Sequence, residues 1–237
     1  MEEYVQAALE KGLRKIVFLE HMEEGIRPFA GRTWLTEEDF EDYFTEGRRL
    51  QSKYAGLLDI GLGVECGYNP EQSDKLIRRL GQRCWDQIGI SCHFMKVSGM
   101  ANHLNMFSRK SENIQLALQV GPEKILGYYF AALTEAVRLL PGTMLCHLDG
   151  ALRYVPEIRL SESHYRQIDS LFQMVKERGM ALEVNSSGLA IRQEQFPNSR
   201  IIATAKSYGI PLVLGSDAHR PENVGRCFDR LAALFSE

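Results

Sequence analysis

Pro211-Leu-Val-Leu-Gly-Ser-Asp-Ala-His219 is the stretch that decides the fold. Its apolar run is too short for a helix and reads as a buried strand over 211–215. It stops at two residues with metal-binding side chains, Asp217 and His219, and a final helix is expected from about Pro221. A strand that ends in polar ligands and leads into a helix is the repeating unit of a parallel α/β protein.

The same unit recurs upstream. Lys15-Ile-Val-Phe-Leu-Glu20 ends at His21, and further strands are read at 57–65, 88–93, 143–147 and 181–185. Helices are expected at 2–11, stopped by Gly12, and from about Thr36, where Asp39 completes an N-terminal capping pattern. Others fall at about 70–84, 122–139, 161–178 and 197–208, with an irregular stretch at 95–115. Six strands, nearly all followed by helices, predict a parallel sheet in a single domain spanning 1–237. No linker, low-complexity tract or short repeat interrupts it.

Bulk composition narrows the function. The 237 residues are 44% hydrophobic and 25% charged, with net charge −3, and no basic stripe marks a nucleic-acid partner. No apolar run approaches the roughly 20 residues of a membrane helix. The five cysteines include no Cys-x-x-Cys, and the acidic N-terminus is unlike a signal peptide, so a cytoplasmic, disulfide-free protein is expected.

Polar residues fall where the strands stop: His21, Glu65, His93, His147 with Asp149, Glu183 with Asn185, and Asp217 with His219. In a parallel barrel the C-terminal strand ends converge on one face, so residues distant in sequence meet there. Imidazole and carboxylate donors suit zinc, iron or manganese. Each residue has a plainer alternative. A lone strand-end histidine is often structural, Asn185 fits a turn, and Asp149 and Asp217 fit helix caps. Repetition at successive strands favours the metal site. Cys92 and Cys146 directly precede proposed ligands, so strand alternation aims them at the opposite face as core residues. His103 and His164 lie off the strand ends.

These residues resemble the PHP (polymerase and histidinol phosphatase) family, and within it the monofunctional histidinol-phosphatases. The matching stretches are Phe18-Leu-Glu-His21, Gly63-Val-Glu-Cys-Gly-Tyr68, Ser91-Cys-His-Phe94, His147-Leu-Asp149, Leu182-Glu-Val-Asn-Ser-Ser-Gly188 and Gly215-Ser-Asp-Ala-His-Arg-Pro-Glu-Asn-Val-Gly225. The resemblance implies a distorted seven-stranded TIM-like (β/α) barrel with up to three metal ions, zinc first, manganese or iron as alternatives. It assigns Glu65, His93 and His147 to one metal, Asp217 with bridging Glu65 to a second, and His21 with His219 to a third. It also implies hydrolysis of a small phosphorylated substrate, histidinol phosphate, in histidine biosynthesis.

One departure from the family pattern is large. The family opens on a strand carrying His-x-His, and this sequence starts in what looks like the helix after it. Only the Glu65–His93–His147 set is then complete. Either the chain begins late or the strand was lost naturally; the intact downstream motifs favour the first. Open sheet edges would also invite self-association. Arg153 is the expected phosphate contact, with Arg192 and Arg220 as alternatives. Asp149 is expected to orient a ligand or protonate the leaving alkoxide, and Asp217 to take part in catalysis. The competing functions are hydrolysis of another small phosphoester, a metal-binding protein without turnover, and an amidohydrolase-like barrel.

Overall fold

The computed structural model describes residues 1–155 and 158–235. Six strands form one parallel sheet: β1 (Lys15–Met22), β2 (Asp59–Gly67), β3 (Ile88–Ser91), β6 (Met144–Leu145), β7 (Ala181–Asn185) and β8 (Leu212–Gly215). They pair in that spatial order, which is also their order along the chain, so the sheet curls as a half-barrel with β1 and β8 at its edges. The six strands are those expected from the apolar runs.

Helices α1 (Glu2–Glu10), α2 (Glu37–Lys53), α3 (Ser73–Leu80), α5 (Pro122–Leu139), α6 (Glu162–Glu177) and α8 (Ser199–Tyr208) occupy the places read from the sequence. The cap at α2 is the expected one: Thr36 Oγ1 accepts from the Asp39 N–H, and Asp39 Oδ2 accepts from the Thr36 N–H. Gly47 lets α2 lie close on the sheet, because a Cβ there would collide with the Leu62 side chain. Apolar faces of these helices and of the strands merge into one large core, including Phe40, Leu50, Ile90, Tyr129, Leu171 and Phe172. No helix among the described residues is long and apolar enough to cross a membrane.

Three local readings are corrected. The stretch 95–115 is not irregular: β4 (Phe94–Lys96) and β5 (His103–Asn105) form an antiparallel hairpin, and α4 (Ser111–Val120) follows. Their strands are three residues long, too short to show a period. The final helix expected from Pro221 is only a 3-10 turn, Pro221–Asn223. Extended backbone at Val224 (ψ 126°) ends it, left-handed Gly225 (φ 62°) and Cys227 (φ 55°) follow, and α9 spans just Phe228–Leu231. Asn185 is the turn former expected, its Oδ1 accepting the Ser187 N–H two residues on and leading the chain into the short helix α7 (Ser187–Arg192). Lastly, the strand expected at 143–147 ends at Leu145, since His147 has φ 25°.

That last departure turns a side chain around. A Cβ on Gly89 would meet Cys146 Sγ at 2.5 Å, and Gly89 pairs in register with Glu65. Neighbours in register share a face, so Cys146 lies on the same face as Glu65 and not on the opposite one. It remains a core residue there, its thiol pushed well up by burial.

Candidate metal centre

Register alone delivers the first contact. His21 on β1 pairs directly with Glu65 on β2, and the face they share is otherwise narrow, lined on β2 by Gly61, Gly63 and Gly67. Glu65 is buried, and three imidazoles surround its carboxylate. His147 Nε2 lies 2.7 Å and His93 Nε2 3.0 Å from Oε1, while His21 Nε2 lies 3.7 Å from Oε2. Burial pushes the Glu65 carboxyl upward, but the three rings outweigh it and hold the group well below its ordinary value. Burial lowers His21, and the carboxylates beside His93 raise that ring against the same effect.

Glu65, His93 and His147 present ligand atoms within 4.8 Å of one another. Two imidazoles and one carboxylate converging on one point fit a divalent ion: three protein donors and a free position for water or substrate is the composition of a catalytic zinc site. The buried anion fits the same use, since the Nε2 atoms of His93 and His147 both face its Oε1.

Each of the other expected residues has a definite place. Asp217 sits in a left-handed turn (φ 48°) just past β8, with Oδ1 3.4 Å from His219 Nδ1 and Oδ2 3.6 Å from Arg153 Nη1. Burial raises its carboxyl, yet His147, Arg153 and His219 together bring it below the ordinary value. His219 is largely exposed, and its ring centre lies 6.3 Å from that of His21. Arg153 stacks over Phe107 at 5.0 Å, and its Nε and Nη1 have no hydrogen-bond partner among the described residues. Arg192 donates to the backbone carbonyls of Leu152 and Arg153, and Arg220 is exposed.

Asp149 faces elsewhere. Its Oδ2 accepts from the backbone and side-chain N–H groups of Asn198, and it lines a cavity of about 570 Å³ with Arg159, Arg192 and Phe196. Burial raises its carboxyl to about 6, against the lowering effect of the Asn198 hydrogen bonds. A raised carboxyl favours the protonated fold, so this group stabilises the protein below its unfolded value and loses that contribution as pH climbs to about 6. Displacement from 3.8 to about 6 corresponds to about 3 kcal/mol at most. Asp149→Asn mimics the protonated form. In metal-free protein it is expected to raise the melting temperature at pH 8 and leave it unchanged at pH 4. Equal effects at both pH values in thermal melts would show that Asp149 does not titrate in the fold.

Three residues, Arg226, Phe107 and Glu23, escaped the sequence reading, and a fourth, Glu183, was read as a strand-end acid without its role. Glu183 accepts the His147 N–H on Oε2 at 2.8 Å and so fixes the backbone turn that swings His147 into place. Burial raises it to about 7. Gly215 leaves the room its carboxyl occupies. Arg226 holds the carbonyls of Ser216 and Asp217, and Phe107 lies under His93, His147 and Arg153 together. Glu23, just beyond β1, contacts His93 Nδ1 at 2.6 Å. The Glu183 signal was present as a strand-end acid; the other three lie in loops with no period.

The PHP domain model matches residues 1–187, and the PHP-associated model matches 195–233. The chain belongs to the PHP family. The two matched segments share one sheet, because β7 and β8 pair across the boundary between them. A "Probable histidinol-phosphatase" of Deinococcus radiodurans is 29% identical to this PHP chain over 225 residues, covering 94% of it and 81% of that protein. The HisK structure from Listeria monocytogenes superposes with a TM-score of 0.83 at 22% identity, over 97% of this chain and 92% of that one. The histidinol phosphate phosphatase of Lactococcus lactis, solved with zinc, L-histidinol and phosphate, gives 0.77 at 19% identity, over 100% and 88%. Both structures share the fold.

Proposed function

We propose that this PHP chain is a metal-dependent phosphomonoester hydrolase acting on histidinol phosphate, within a single domain. One observation carries the reading: a buried carboxylate is ringed by three histidines, and the Phe107 that contacts two of them also carries Arg153, whose Nε and Nη1 have no hydrogen-bond partner among the described residues. Glu65, His93 and His147 hold one ion, zinc by analogy with the Lactococcus structure. By the family resemblance, Asp217 with bridging Glu65 would serve a second ion and His21 with His219 a third.

A divalent ion in this position supplies Lewis acidity and a water of lowered pKa. The protein's own groups do the rest. Arg153 is the phosphate contact in this reading and would balance the charge that grows on the phosphate. Asp217 orients Arg153 from 3.6 Å. Phe107 fixes the planes of the guanidinium and of two ligand rings. Asp149 supports the loop that carries His147 and Arg153 through its bonds to Asn198. The substrate assignment is supported by the Deinococcus and Lactococcus relatives.

The alternative is a metal-binding protein without turnover, since Glu65, His93 and His147 could hold an ion without any contact to a substrate. Phosphate release from L-histidinol phosphate, p-nitrophenyl phosphate and a nucleoside monophosphate, each with zinc or manganese, separates the readings. Selective turnover of histidinol phosphate is the expected result. Zinc binding with no turnover, for this chain and for one extended at its N-terminus by a His-x-His strand, supports the alternative.

A further inference from the structure

We propose that Glu23 is a positioning residue that fixes the tautomer and orientation of His93 for metal binding. This rests on the metal reading given above. A neutral imidazole has one N–H and one lone pair, and only the lone pair binds an ion. His93 is clamped between two carboxylates: Nδ1 is 2.6 Å from Glu23 Oε1, and Nε2 is 3.0 Å from Glu65 Oε1. Without an ion both ring nitrogens face a carboxylate and donate to it. When an ion takes the place of the Nε2 proton, Glu23 keeps the remaining proton on Nδ1, so that the Nε2 lone pair is the one offered to the ion. Ser91 Oγ is the other group near Nδ1, at 3.5 Å, too long to set the tautomer.

The fold is arranged around this contact. Gly67 has no side chain where a Cβ would run into the Glu23 carboxyl group. The backbone that carries Glu23 is held from three sides. Arg79 Nη1 donates to the Glu23 carbonyl at 3.2 Å, and Asn69 Nδ2 donates to the Glu24 carbonyl at 2.9 Å. Lys75 and Arg79 both pair with the Glu24 carboxylate. Glu23 is only 3% exposed, and its Oε2 has no hydrogen-bond partner among the described residues. An orphaned buried carboxylate oxygen is costly, and a purely structural role gives no reason to keep it. Holding a ligand ring does, since such outer partners set ring orientation and basicity.

His21, Glu23 and His93 also lie close enough to share an ion, so the test must tell support from direct ligation. Zinc affinity by chelator competition, zinc stoichiometry, and long-range ¹⁵N–¹H spectra of the histidine rings are measured on the native chain and three variants. Glu23→Gln keeps an acceptor of the same shape, Glu23→Ala removes it, and Gly67→Ala pushes on the carboxyl from outside. The expected results are about 10-fold weaker zinc for Gln and about 100-fold for Ala, unchanged stoichiometry, and a His93 Nδ1–H that is present in native metal-free protein and lost in Glu23→Ala. Gly67→Ala is expected to fall between the two Glu23 variants. Unchanged affinity together with an unchanged His93 tautomer overturns the proposal. Loss of one bound ion with the remaining affinity intact overturns it in favour of direct ligation. A native chain that takes up no zinc overturns the metal reading itself, and is distinguished by failing before any substitution is made.

Discussion

Glu65→Gln is expected to weaken zinc binding by more than about 100-fold, beyond the range for partners one layer out from the ion, and to lower kcat/KM by at least as much. The carboxylate is the only anionic donor of the Glu65–His93–His147 set, and it is the atom on which the two imidazoles converge. Glutamine keeps the volume and one oxygen, so steric explanations are removed and only charge is lost. The effect on metal-free protein should be much smaller. The amide oxygen can still accept from a ring N–H, and His93 relaxes toward the neutral form once the carboxylate that raises it is gone. A large fall in affinity with a small change in melting temperature is therefore the signature of a ligand. Retention of zinc affinity within about threefold, measured by chelator competition, would remove Glu65 from the centre.

The parts of this centre that were legible in the sequence are those tied to strand periodicity. His21 and Glu65 stand at ends of strands long enough to show their apolar runs, and parallel register then makes them neighbours. His93, His147 and Asp217 followed from the same rule, although His147 and Asp217 reach the rim through left-handed backbone and not through strand alternation. That is why the placing of Cys146 failed: a φ of 25° one residue later is set by a carboxylate 36 positions downstream, Glu183, and no local pattern encodes it. Phe107 and Glu23 were hidden for a related reason. Both lie in connections, where a Phe looks like a stray apolar residue and Glu-Glu-Gly looks like a solvated turn. Glu23 becomes buried, and Phe107 partly so, only through contacts made by segments distant in sequence. Helix ends behaved similarly, with Thr36 and Asp39 readable as a local cap, whereas the stop at Asn223 depended on extended backbone at Val224, which no local pattern announces.

Arg153→Met is expected to lower kcat/KM by about 10²–10³-fold, the cost of removing one preorganised donor to developing negative charge, without destabilising the metal-free fold. The guanidinium is nearly buried, with 13% of its side-chain surface exposed, and it stacks on Phe107, Tyr154 and Phe196. Its Nε and Nη1 nonetheless have no hydrogen-bond partner among the described residues, and the contact to Asp217 is long at 3.6 Å. Unpaired buried donors are unfavourable, and methionine fills similar space against the same rings without them. The hydrogen bonds from Arg192 reach backbone carbonyls and survive the change. Against this, Asp217 loses one of the charges that keep its carboxyl low, so the melting temperature should stay level or rise modestly. Arg153→Lys should recover about tenfold at most, because an ammonium lacks the planar fork that stacks on Phe107 and presents two N–H groups to one phosphate. Inhibition by inorganic phosphate gives the independent readout, since the same donors bind the product and its inhibition constant should rise in parallel. Activity within about threefold of native, with phosphate inhibition unchanged, would assign the anion contact elsewhere on the rim, where Arg192 beside Phe196 is the next candidate.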